Sequence, residues 1–111
     1  MKTGLIYLAL LAGQMHTLQD KPVVHLRPNQ DFIPNEYGGD LVELLNSPTV
    51  IQLPTHPPAV DAHGKPWAVD VENSGPNSVT VVGRAGFSVQ VRMGQVAHIK
   101  FTATGYSNVQ Q

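Results

Sequence analysis

Polar and apolar residues alternate along the C-terminal part of the chain. The alternation runs through four segments, residues 67–73, 78–82, 87–92 and 96–102. A period of two residues is typical of half-buried antiparallel strands. The segments are separated by turn residues: Ser74-Gly75-Pro76, Gly83-Arg84-Ala85-Gly86 and Met93-Gly94. The pattern predicts a small antiparallel meander of four strands within residues 67–102, with a possible fifth strand at 106–109.

One side of every predicted strand is apolar. A single sheet cannot bury such a side, so a second layer has to cover it. The cover would come from residues 23–26, 41–45 or 50–53, or from a partner protein. The sequence therefore predicts a mainly β protein in a two-layer, sandwich-like arrangement. The predicted core residues are Trp67, Val69, Val71, Val79, Val81, Phe87, Val89, Val91, Ala97, Ile99 and Phe101.

The last predicted hairpin can be tested for register, because directly opposed residues share a face of the sheet. A two-residue turn at Met93-Gly94 would place His98 on the apolar side. A shift of one residue instead opposes Val91 to Ala97 and leaves only apolar groups there. We therefore expect a longer loop or a bulge at residues 93–95, with Gly94 at positive φ.

The earlier half of the chain, residues 14–53, is less regular. Short strands are predicted at 23–26 and 49–53, and the first is bracketed by prolines, as suits an edge strand. Asp40, with Glu43 three residues later, resembles a capping box and predicts one short helix near 41–46. Residues 54–66 hold four prolines and form a linker or long loop before the meander at 67–109.

The first thirteen residues have the layout of a secretory signal peptide. Lys2 precedes an apolar run of ten residues, which is too short to span a bilayer as a helix. The nearest match to a cleavage site lies before Gln14. The alternative is a helix or strand packed in the core. The first interpretation predicts a secreted, periplasmic or cell-surface protein with no membrane span after signal removal.

Composition excludes several classes of function. The net charge is −1 and no run of one sign occurs, so the chain lacks the basic surface that nucleic-acid binding requires. It has no cysteine, which excludes disulfides, thiol catalysis and cysteine zinc sites. No cofactor is expected.

The polar side of the predicted meander is nearly sorted by charge. Asp70 and Glu72 lie on its first strand, while Arg92, His98 and Lys100 lie on its third and fourth. These five residues are either an ordinary solvated face or an electrostatic docking surface for a partner or a second copy. The two carboxylates would lie about 6–7 Å apart. An open sheet face offers no pocket to raise a pKa, so no enzyme is expected.

The proline-rich segment carries one alternative chemistry. His56, Asp61 and His63 lie close together there, and imidazole and carboxylate groups can bind zinc or copper. They would make the chain a small metal-binding protein or a hydrolase, although their spacing matches no known site. A structural protein of a virus or phage is a further alternative.

Several strand and turn residues resemble a known family. Residues 69–76, 79–81, 93–95 and 99–101 are similar to bacterial immunoglobulin-like surface domains, which carry comparable hairpins, although Met93 stands where those domains usually have proline. The resemblance covers about 35 residues within 69–101, implies an extracellular β-sandwich and transfers no functional residue. We expect an exported small β-domain that acts by binding or assembly, as a subunit of a surface or extracellular structure.

Overall fold

The computed structural model describes residues 21–109, so the predicted signal peptide at residues 1–13 lies outside the described part of the chain. Residues 21–109 form eight strands, and single 3-10 turns occur at Asn35–Tyr37 and Arg84–Gly86. The strands are β1 (Val23–His25), β2 (Leu41–Leu44), β3 (Val50–Gln52), β4 (Ala68–Asn73), β5 (Val79–Val82), β6 (Ser88–Val91), β7 (Val96–Thr102) and β8 (Gly105–Asn108).

The strands build two sheets of unequal size. The five-stranded sheet has the order β1-β2-β4-β7-β8, and the three-stranded sheet has the order β3-β5-β6. Both are mixed: β2 is parallel to β1 and β4, and β3 is parallel to β5, whereas the remaining pairs are antiparallel. This confirms the predicted mainly β, two-layer arrangement. It also places β1 at a sheet edge, as its flanking prolines suggested.

The predicted meander is wrong in its connectivity. Only the β5–β6 and β7–β8 hairpins form, because β4 pairs with β7 and the chain crosses to the other sheet after β4 and again after β6. Val91 therefore opposes Val79 instead of Ala97, which opposes Val71. The apolar faces of the two sheets still pack against each other. Alternation determines which face of a sheet a residue lies on, and it does not determine which strand pairs with which.

The buried side chain of Asn73 stabilises the crossover from β4 to β5. Its Nδ2 donates hydrogen bonds to the carbonyl oxygens of Asn77 and Val91 at 2.7 and 2.9 Å. Its Oδ1 accepts from the N–H of Gly75 at 3.0 Å. Gly75 leaves no room for a side chain against the carbonyl of Leu45. The hydrogen bonds of this buried polar residue at the end of β4 thus fix the path of the chain into the three-stranded sheet.

The predicted short helix near 41–46 is a strand, β2, and Asp40 caps no helix. Val42 and Leu44 are buried, while Leu41 and Glu43 lie on the other side. This alternation suits a strand, and the parallel pairing of β2 with both β1 and β4 supplies its hydrogen bonds. Four residues are too few for local helix preference to outweigh that pairing.

Both sheets contribute to the core. Eight of the predicted core residues are buried, and Phe87, Val89 and Phe101 are partly buried against them. Trp67 is fully buried, and its Nε1 donates to the carbonyl oxygen of Asn35 at 2.9 Å. The core also takes residues from the earlier half of the chain: Ile33, Val42, Leu44, Ile51 and Leu53.

The proline-rich segment packs against the sandwich at one end. An isolated bridge joins Val60 to Pro66, and the hydroxyl of Tyr106 donates to the carbonyl oxygen of Pro54. The ring of Tyr106 contacts those of Trp67, Phe87 and Phe101, with centroid distances of 6.2, 5.8 and 4.9 Å. Tyr106 therefore ties the two sheets and this segment together.

Gly94 has φ +83°, as expected for the turn at residues 93–95. No helix within residues 21–109 is long and apolar enough to cross a membrane.

Candidate functional site

The outer side of the five-stranded sheet collects most of the ionisable strand residues. Directly paired residues share a side, and the register places them in three rows about 7 Å apart along the strands. We call this surface the charged face. Its rows are His25–Glu43–Glu72–Val96, Val23–Leu41–Asp70–His98 and Ala68–Lys100–Ser107.

Asp70 lies at the centre of the charged face. Its Oδ1 lies 2.9 Å from Nδ1 of His98, its neighbour on β7, and its Oδ2 lies 2.7 Å from Nζ of Lys21. The side chain of Asp70 is only 13% exposed, whereas Lys21 and His98 are 43% and 32% exposed. One partly desolvated carboxylate thus fixes two basic groups at the surface, and charged hydrogen bonds of this kind are stronger than neutral ones.

A second cluster lies in the neighbouring row. Nε2 of His25 lies 2.8 Å from one carboxylate oxygen of Glu43, and the hydroxyl of Ser74 donates to the other at 2.9 Å. The hydrogen bonds from His25 and Ser74 lower the pKa of Glu43. The carboxylate stands between the imidazole and the hydroxyl, so this histidine cannot take the serine proton. The cluster therefore links β1, β2 and the turn that follows β4.

The charged face has opposite charges at its two ends. Glu43 and Glu72 are direct neighbours in the row at one end, and Lys100 lies two rows away at the other. The side chain of Lys21 reaches the middle row from outside the sheet. The sequence suggested this sorting for Asp70, Glu72, His98 and Lys100, which the structure brings onto one surface.

Arg92 does not belong to that surface. It follows β6 in the three-stranded sheet, is exposed, and its N–H donates to Oε1 of Gln95 at 3.1 Å. Its sequence-based assignment depended on the meander, which would have put β6 and β7 side by side. Three members, Lys21, His25 and Glu43, were not predicted, because the parallel order β1-β2-β4 has no local sequence signal.

The residues of the metal hypothesis lie elsewhere. Oδ1 of Asp61 accepts hydrogen bonds from the backbone N–H groups of His63 and Lys65 at 2.8 and 3.1 Å, which closes a turn. Both Asp61 and His63 lie near Asp40. The pKa of Asp40 is raised, mainly by burial; His63 opposes this rise and Asp61 adds to it. His56 is exposed in the same segment. Between Lys21 and Val109, no three His, Cys, Asp or Glu side chains are arranged to hold a metal ion.

Comparisons with known proteins give a likeness in fold. No protein-family model and no curated protein matches the chain. A crystal structure of a StcE fragment from enterohemorrhagic E. coli matches with a TM-score of 0.56 and 18% identity, over 82% of this chain and 90% of that one. A structure of a chaperone–substrate complex matches with a TM-score of 0.55 and 14% identity over 79% of this chain. This chain spans 15% of the length of the matched chain in that complex.

Proposed function

We propose that the chain is a non-enzymatic β-sandwich module that works outside the cytoplasm and assembles with a second copy through the charged face. The observation that carries the proposal is the placement of Glu43 and Glu72 at one end of this face and Lys100 at the other. The fold likeness to a bacterial domain, the signal-like pattern at residues 1–13 and the resemblance to immunoglobulin-like surface domains support the location.

The charges of this face are self-complementary. A two-fold axis through the middle row, between Asp70 and His98, would place Glu72 of one copy opposite Lys100 of the other, and the reverse. A closed two-fold interface uses every contact twice. Opposed charges of this kind fix orientation more than they add affinity, so the resulting dimer is expected to be weak and sensitive to salt.

The state of the carboxylates supports a non-enzymatic role. Glu43 is hydrogen-bonded by His25 and Ser74, and its pKa is lowered. A general acid at neutral pH needs the opposite shift. Asp70 is already occupied by Lys21 and His98. These groups are arranged to hold charges in place, as a docking surface requires.

Sedimentation equilibrium of the full chain tests the assembly. Lys100→Glu replaces two attractive contacts per dimer by repulsive ones. Each exposed pair contributes about 0.2–1 kcal/mol, so loss of the two attractive contacts alone is expected to lower the association constant roughly two- to thirtyfold. Lys65→Glu makes the same charge change in an exposed loop and serves as the matched control. A strictly monomeric wild-type protein, or equal association of both variants, would contradict the proposal.

The location has its own test. Export with cleavage before Gln14 predicts that the mature protein lacks residues 1–13. Mass spectrometry of protein recovered from outside the cytoplasm measures this directly. An intact N-terminus on protein that stays inside the cell would remove the extracellular part of the proposal and leave the assembly part standing.

A further inference from the structure

The outer edge of β6 has free hydrogen-bonding groups. The N–H of Gly83 donates to the carbonyl oxygen of Phe87 at 2.9 Å. Bonded pairs alternate along an antiparallel ladder, so Val89 and Val91 bond to β5, while the N–H and C=O groups of Ser88 and Gln90 point away from it. No strand in the described part of the chain pairs with this edge.

A cleft of about 220 Å³ lies beside this edge. Its wall is formed by the apolar residues Val89, Val91, Val96 and Ala97 and by the uncharged polar residues Gln90, Gln95 and Asn108. No charged residue lines the cleft. Val89 faces the core and yet stays partly exposed, because the three-stranded sheet ends at β6 while the five-stranded sheet continues.

β6 lacks the usual protection of a strand edge. Its sequence, Ser-Val-Gln-Val, has neither charge nor proline, the features that prevent edge-to-edge pairing in other proteins. The opposite edge of the same sheet, β3, is covered by residues 31–33. The N–H of Ile33 donates to the carbonyl oxygen of Gln52 at 2.8 Å, and the N–H of Gln52 donates to the carbonyl oxygen of Asp31 at 2.8 Å. β1, at an edge of the larger sheet, carries His25 and follows Pro22.

The geometry favours a lone segment over a second folded copy at this edge. β6 packs over β4 and β7, and β8 lies one strand further out. Paired strands are about 4.8 Å apart. A second copy that paired its β6 here would bring its own five-stranded sheet into the space that β7 and β8 of this copy occupy. A single extended segment has no second sheet and avoids the clash.

We propose that β6 accepts one extended, uncharged segment of a partner protein, which adds as a fourth strand to the three-stranded sheet and covers the cleft. Backbone hydrogen bonds to Ser88 and Gln90 would hold the segment, and alternate apolar side chains would enter the cleft beside Val89. The neutral lining disfavours a charged side chain there, because burying it unpaired is costly. This site is separate from the charged face.

The probe is a synthetic peptide of residues 77–83, acetylated and amidated at its ends. This sequence already pairs with β6 from the inner side as β5, and it carries no charge. Added to the full chain, the peptide is expected to slow hydrogen exchange at the amides of Ser88 and Gln90 at least tenfold. High salt should change its affinity less than twofold, whereas salt should weaken assembly through the charged face.

A pair of variants at one position separates backbone pairing from side-chain contact. Gln90→Pro removes an outward N–H without breaking the ladder to β5 and should weaken peptide binding at least tenfold. Gln90→Ala keeps that N–H and should stay within twofold of the wild type. Equal binding by Gln90→Pro, or exchange slowed elsewhere but not at Ser88 and Gln90, would overturn the proposal. No binding at about 1 mM peptide would also overturn it. If Gln90→Pro does not fold, the exchange experiment on the wild type decides.

Discussion

Replacement of Asn73 by alanine tests the crossover that takes the chain from β4 in the five-stranded sheet to β5 in the three-stranded sheet. Asn73 is 1% exposed. The substitution removes three hydrogen bonds, two donated by Nδ2 and one accepted by Oδ1. Water can reach exposed Asn77, and the carbonyl of Val91 keeps its bond to β5, whereas the N–H of Gly75 belongs to a buried residue and loses its partner.

The expected loss of stability follows from the Gly75 N–H, which is left without a partner, and from the Val91 carbonyl, which loses one of its two hydrogen bonds. A buried polar group left without a partner costs about 1–3 kcal/mol, and one hydrogen bond contributes about 0.5–1.5 kcal/mol. Asn73→Ala should therefore lower the free energy of unfolding by roughly 1.5–4.5 kcal/mol. Since small domains are stable by about 5–15 kcal/mol, this is a large fraction of the total.

Urea unfolding followed by tryptophan fluorescence is a suitable assay, because Trp67 is the only tryptophan of the chain and is fully buried. Asn77→Ala is the matched control, because it removes an exposed side chain and keeps the carbonyl that Asn73 contacts. Its free energy of unfolding should stay within about 0.5 kcal/mol of the wild-type value. A loss below about 1 kcal/mol for Asn73→Ala would refute the role given to this side chain.

Two predictions concern pH. Burial raises the pKa of Tyr106 from 10.0 to about 12. The neutral phenol stabilises the fold fully below pH 10, and this contribution is lost as the pH rises toward 12. Tyr106→Phe should therefore remove the tyrosinate step near pH 12 from an absorbance titration, and a step that persists there would contradict the burial of Tyr106. The lowered pKa of Glu43 stabilises the fold above its ordinary value of 4.5, and this contribution is lost as the pH falls through the pKa in the folded protein. Glu43→Gln should therefore flatten the acid side of a plot of the free energy of unfolding against pH. Glu36→Gln, in an exposed turn, is the control and should leave that plot unchanged. Identical plots for the two variants would contradict the contacts of Glu43.

Local pattern predicted the strands well and their partners badly. The bounds of β7 match the expected 96–102, because alternation from Ala97 to Phe101 is unbroken. The partner of β7 could not be read from the sequence, because β4 and β6 carry similar alternation. The choice depends on Asn73 and Gly75, which resemble ordinary turn residues until the buried hydrogen bonds are known.

The candidate site was predicted in part for the same reason. Asp70 and His98 could be placed on one side from alternation alone, and they prove to be direct neighbours. Glu43 could not be placed, since Asp40 and Glu43 look like a helix start and β2 is a strand only through its parallel neighbours. Non-local parallel pairing leaves no mark in a short sequence window.

Cysteine cross-linking across the charged face tests the proposed assembly most directly. The chain has no cysteine, so Glu72→Cys and Lys100→Cys each introduce a single thiol. Mixed and oxidised, these two variants should form a disulfide-linked heterodimer in preference to either homodimer. The pair Glu72→Cys with Lys65→Cys should not. If both mixtures cross-link equally, or neither does while the wild type still associates, the copies do not meet through this face.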